Sequence, residues 1–168
     1  MRVLIACVGN IFLGDDGFGV EVARSLSKRQ LPECVSVKDY GIRGFDLAYA
    51  LLDPWDLVII VDALSRGEAA GTLYVIEPEL NRPASPDTAL NPHGMDPVRV
   101  LSLAASMGTI SAQVLVAGCE PHDFGDELEG RMGLSSRIEG VVEAACDMIL
   151  DLVASRQVNA VRLETVER

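Results

Sequence analysis

The chain has 168 residues, 49% of them hydrophobic and 23% charged, with a formal net charge of −11. That length suits one domain around one core, and the acidity argues against nucleic acids and anionic membrane surfaces as partners, since both are met by Lys and Arg. No apolar run approaches the ~20 residues that span a bilayer, and the short apolar N-terminus gives way at once to Asn10 and Asp15-Asp16, so it reads as a buried strand of a cytosolic protein rather than a leader.

Residues 2–8, apolar throughout after Arg2, read as a strand buried on both faces. A Gly9-Asn10 turn follows, and from Asp15 the pattern becomes helical, with Phe18, Val22 and Leu26 on one face. Asp15 and Asp16 suit a helix N-terminus, and Arg24, Lys28 and Arg29 its C-terminus. Residues 35–40 read as a second strand, 41–44 as a turn, 45–52 as a short helix, and 57–61 as a third buried strand ending at Asp62. Residues 71–76 alternate between Gly and Pro boundaries and read as a fourth strand, at an edge. The stretch 77–92 holds four prolines and reads as a functional loop.

Asp96-Pro97 gives an N-cap and first helical residue, Gly108 a stop, and Val98, Leu101 and Ala105 the expected buried face between them. Residues 109–117 read as the fifth strand and 122–133 as a polar loop. Ser136 and Glu139 form a capping box for the last helix, which buries Ile138, Val141, Val142, Ala145, Ile149 and Leu152. Strands and helices alternate, which predicts a three-layer α/β/α sandwich with a mostly parallel five-stranded sheet. One domain is expected over residues 1–155, with a weakly structured tail over 156–168. Cys7, Cys34, Cys119 and Cys146 are too far apart in sequence for a zinc knuckle or Cys-x-x-Cys and read as reduced thiols.

Ligands of open α/β sheets bind beyond the carboxyl ends of the strands. The polar residues expected there are Asn10, Asp15, Asp16, Asp39, Asp62, His93, Glu120 and His122. Asp62 follows the aliphatic stretch 58–61, and a carboxylate so placed needs a partner or a cation. Asp16 lies beyond a neighbouring strand, and His93 offers an imidazole from the long loop. Two carboxylates and an imidazole suit a borderline divalent metal and leave a position open for water or substrate. Each residue alone also has a plainer reading, as a helix cap, a loop hydrogen bond or a surface histidine.

Five short motifs carry a family resemblance. They are Cys7-Val8-Gly9-Asn10 with Asp15-Asp16-x-x-Gly19, then Asp39-Tyr40-Gly41-Ile42-Arg43-Gly44, Asp62-Ala63, Pro92-His93-Gly94, and Gly118-Cys119-Glu120-Pro121. In that order the chain resembles the nickel-iron hydrogenase maturation endopeptidases. Cys7 replaces the family's first glycine, and Tyr40 and Arg43 stand where many members have Gly and Thr. The resemblance implies an endopeptidase that removes the C-terminal extension of a hydrogenase large-subunit precursor after nickel has been inserted. It implies metal-contacting and catalytic roles for Asp16, Asp62 and His93 toward nickel brought by the precursor, a monomer, and a substrate cleft framed by Asn10, Asp39, Gly41 and Gly44.

Three other readings compete. A peptidyl-tRNA hydrolase also opens with a strand and a Gly-x-Gly-Asn turn, but needs a basic surface. A receiver domain needs a Lys after its fifth strand, and no Lys follows Lys38. A non-catalytic nickel-dependent chaperone of the same precursor is the alternative that would use the same three residues.

Overall fold

A computed structural model describes residues 1–78, 96–125 and 128–166. Three central strands, β1 (Val3–Val8), β3 (Leu57–Ala63) and β5 (Gln113–Cys119), form the buried middle of a five-stranded sheet. β2 (Val35–Gly41) and β4 (Leu73–Ile76) are its edges, in the order β2-β1-β3-β5-β4. All neighbours run parallel except β4, which pairs antiparallel with β5 through Leu73–Cys119 to Ile76–Val116.

Because strand side chains alternate, each central strand feeds two cores. Val3, Ile5 and Cys7, with Ile59 and Val61, face helices α1 (Phe18–Leu26) and α5 (Val142–Val166). Leu4, Ala6 and Val8, with Val58 and Ile60, face α2 (Gly44–Ala50) and α3 (Pro97–Met107). A short helix α4 (Ser136–Glu139) precedes α5. The three-layer expectation is met, and the described residues fold around one sheet. All four cysteines are free thiols.

Helix α1 approaches the sheet unusually closely at Gly19. A Cβ there would lie 2.1 Å from the Val8 carbonyl oxygen and 2.6 Å from that of Val61. Both obstacles are backbone of central strands, so neither can move aside. Gly19→Ala is expected to cost about 3 kcal/mol in urea denaturation, at the upper end for overpacking.

Several boundaries differ from the sequence reading. Asp62 and Ala63 lie within β3, paired with Gly118 and Cys119, rather than beyond its end. Asp15 and Asp16 sit in a 3-10 turn (Gly14–Gly17), and α1 begins only at Phe18. In α3, Asp96 does cap the helix, accepting a hydrogen bond from Val98 N at 2.9 Å, with Pro97 first. Its buried stripe, however, is Pro97, Val100, Leu101 and Ala104, while Val98 and Ala105 are exposed. Both stripes have helical spacing, and contact with α2 selects the first. The backbone of α5 continues in helix past Ser155, over residues that sequence patterning leaves weakly defined.

Candidate active site

The chain enters β2 on one side of β1 and β3 on the other. The carboxyl ends of β1 and β3 therefore flank a topological switch point, where such sheets open a crevice. Residues 9–17 leave β1 at that point, and Asp62 lies near the end of β3.

The turn after β1 is built on glycine. Gly9 has φ 141°, and a Cβ on it would meet the Asp16 carbonyl oxygen at 1.9 Å. That contact lets the chain fold back on itself: Asn10 N donates to Asp16 Oδ2 at 2.7 Å, and Asp16 N donates to the Leu13 carbonyl at 3.1 Å. Asn10 Oδ1 accepts from Phe12 N at 3.0 Å, so Asn10 shapes the same turn. Gly9 N donates to the Gly41 carbonyl at 3.0 Å, joining the turn to the end of β2. There Asp39 Oδ1 accepts from Gly41 N at 2.8 Å, and α2 begins at Gly44.

Asp62 is 4% exposed, and its Oδ1 accepts from the adjacent Ala63 N at 2.9 Å. Burial pushes its pKa well above the ordinary carboxylate range, and the nearby Asp16 and Asp96 carboxylates add to the rise. Asp16 is also raised by burial, against the pull of the Asn10 N–H. The Asp16 charge is thus felt at Asp62, across the crevice expected at the switch point. A crevice of this kind disfavours two negative charges until a proton or a cation enters. Such an oxygen pair fits a divalent cation. Among the described residues no three His, Cys, Asp or Glu side chains gather as a complete metal site. His93 lies outside the described residues.

Two other acids brace the site. Asp15 is fully buried, and Oδ2 accepts from His122 N and Asp123 N at 2.9 Å and from Ser135 Oγ at 3.0 Å. Its Oδ1 accepts from Ser135 N at 2.6 Å. Against the cost of burial, the N–H groups of Ser135, Asp123 and His122 and the Ser135 hydroxyl hold Asp15 below its ordinary pKa. This corrects two sequence expectations. Asp15 reaches across to a distant loop rather than capping α1, and the Ser136–Glu139 capping box gives way to Ser135, the N-cap of α4, whose hydroxyl is turned to Asp15. Glu120, 3% exposed, accepts from Arg66 N at 2.8 Å, Gly67 N at 3.1 Å and Ser65 Oγ at 3.2 Å, and so holds the segment after β3.

Of the residues singled out from sequence, the fold unites Asp16 and Asp62 in the crevice and sets Asn10 and Gly41 beside it. Asp15 and Glu120 belong to its scaffold. Asp96 was legible only as a helix cap; its nearness to Asp62 depends on how α3 packs, which leaves no local signal in sequence.

A doubly wound sheet with an acidic crevice at its switch point is the architecture of an α/β enzyme. Residues 20–152 match the family model described as hydrogenase maturation protease. The chain is 30% identical over 168 residues to the hydrogenase 2 maturation protease of Escherichia coli strain K12, covering 99% of each. It is 30% identical to the hydrogenase expression/formation protein HupD of Rhizobium leguminosarum bv. viciae, covering 92% of this chain and 75% of that protein. Its fold is similar to the hydrogenase maturating endopeptidase HybD from E. coli, with a TM-score of 0.73, 27% identity and coverage of 93% and 94% of the two chains. The chain belongs to the hydrogenase maturation protease family, and it is a hydrolase.

Proposed function

We propose that this protease removes the C-terminal extension of a nickel-iron hydrogenase large-subunit precursor once nickel is in place. The observation that carries the reading is the pairing of half-buried Asp16 with buried Asp62 at the switch point. Two oxygen ligands held close, each raised by burial, favour meeting a divalent cation over standing ionised together. The cation is part of the substrate: nickel arrives in the precursor, is contacted by Asp16 and Asp62, and reports that loading is complete. The proposal makes His93, three residues before Asp96 in the sequence, the third contact. A cation so held places the scissile bond and polarises its carbonyl. Asn10, Asp39, Gly41 and Gly44 frame the cleft on the β2 side. Four free thiols suit action in the cytosol.

Nickel-loaded and nickel-free precursors, each incubated with the protein and weighed by mass spectrometry, test this reading. The loaded precursor should lose its extension and the nickel-free one should keep it. Equal processing of both would remove nickel recognition from the proposal, and binding without loss of mass would overturn removal of an extension from this precursor.

A further inference from the structure

His122, Asp123, Arg131 and Ser135, which follow β5, are all coupled to the acid-bearing turn. Besides the four hydrogen bonds to the Asp15 carboxylate, Asp15 N donates to the Asp123 carbonyl at 3.0 Å, Gly14 N to that of Arg131 at 2.7 Å, and Arg131 N to that of Phe12 at 2.8 Å. An Arg131–Asp123 ion pair at 2.6 Å and a Gly125 N to Asp123 Oδ1 hydrogen bond at 2.8 Å link these residues to one another. These hydrogen-bonded segments hold large apolar side chains in water: Phe12 is 57% exposed, Phe124 39% and Met132 72%. The Phe12 carbonyl accepts one of these hydrogen bonds, Phe124 and Met132 adjoin Asp123 and Arg131, and Phe12 is four residues from Asp16.

Exposing a single apolar side chain is ordinary. Exposing three on a preorganised frame beside a peptidase crevice has the form of a binding surface, where aromatic and Met side chains supply contact area and rigidity limits the entropy lost on binding. Resting on the function proposed above, we propose that Phe12, Phe124 and Met132 are specificity-determining residues that hold an apolar stretch of the precursor polypeptide beside the crevice, and that Asp15 is the positioning residue that keeps them there. The neighbouring acids divide the work: Asp16 faces the crevice, and Asp15 fixes the wall that the polypeptide meets.

The test uses the full chain and a nickel-loaded precursor. Phe12→Ser with Met132→Ser alters two exposed positions, so the fold should persist, and KM should rise about tenfold or more with kcat nearly unchanged. Asp15→Asn should raise KM in the same way, and combining it with the double substitution should add little, because all act through one surface. Wild-type processing with an unchanged KM in the double variant would overturn the apolar contact while leaving the proposed function intact. Full additivity of Asp15→Asn with the double variant, or a loss confined to kcat, would overturn the positioning role. If the wild-type protein itself leaves the loaded precursor uncut, the proposed function fails first.

Discussion

Replacing Asp62 by Asn is expected to stop processing and, at pH 7, to make the folded protein more stable. The loss of processing should be at least about a thousandfold, the scale seen when a group at the reacting centre is removed. The gain in stability follows from the carboxyl's surroundings: burial first, then Asp16 and Asp96, raise its pKa in the folded protein. The folded state therefore holds this proton more tightly than the unfolded chain does. The cost is absent below the ordinary carboxylate range, where both states keep the proton. It accumulates as pH rises from that range toward the raised folded value, because only the unfolded chain gains by ionising. Asn carries no such cost, so Asp62→Asn should gain on the order of 1 kcal/mol at neutral pH. Urea titrations between pH 4 and 8 should show the difference shrinking toward the acid end. A variant that is inactive but no more stable would mean that the carboxyl is better solvated than its 4% exposure implies.

Asp15→Ala should act in the opposite sense. Its carboxylate satisfies the His122, Asp123 and Ser135 N–H groups and the Ser135 hydroxyl. Removing it leaves these donors without their acceptor in a closed space, a loss of about 3–5 kcal/mol. Because the folded pKa lies below the ordinary one, this stabilisation is present above the ordinary carboxylate range. It fades as pH falls through the depressed folded value. Wild-type stability should thus approach that of Asp15→Ala in strong acid, which denaturation curves at pH 7 and below pH 4 would show. Asp62→Asn and Asp15→Ala would then shift stability at neutral pH in opposite directions, as their opposite pKa displacements require.

Much of the fold was open to inspection in the sequence. Buried parallel strands announce themselves as unbroken aliphatic runs, and β1 and β3 were located within a residue or two. The cap of α3 was legible because Asp-Pro has a local mechanism. The α3 stripe was not, since Val98–Leu101–Ala105 and Pro97–Val100–Leu101–Ala104 both satisfy helical spacing and only the neighbouring helix chooses. In the site, Asp16 and Asp62 were identifiable from polar residues at apolar strand ends. The duty of Asp15 was hidden because its partners lie more than a hundred residues away, and hydrogen bonds to backbone N–H groups leave no mark on the identity of the donor residues.

The irregular end of β2 also limits how the chain can change length. Cys7 pairs with Asp39 but Val8 pairs with Gly41, so Tyr40 is an extra residue between two rungs of the ladder. Its ring is 1% exposed in the core under α2, while the rung beyond it gives Gly9 N its acceptor on Gly41. Tyr40 therefore works as a spacer: the strand is one residue longer than its partner needs, and the surplus is anchored inward. Deleting it would straighten the ladder and slide the 41–44 corner back by one rung. The peptide that follows β1 would then face a different carbonyl. Loop length at this edge is consequently as constrained as residue identity, and insertions or deletions tolerated elsewhere on the surface should be excluded between Asp39 and Gly44.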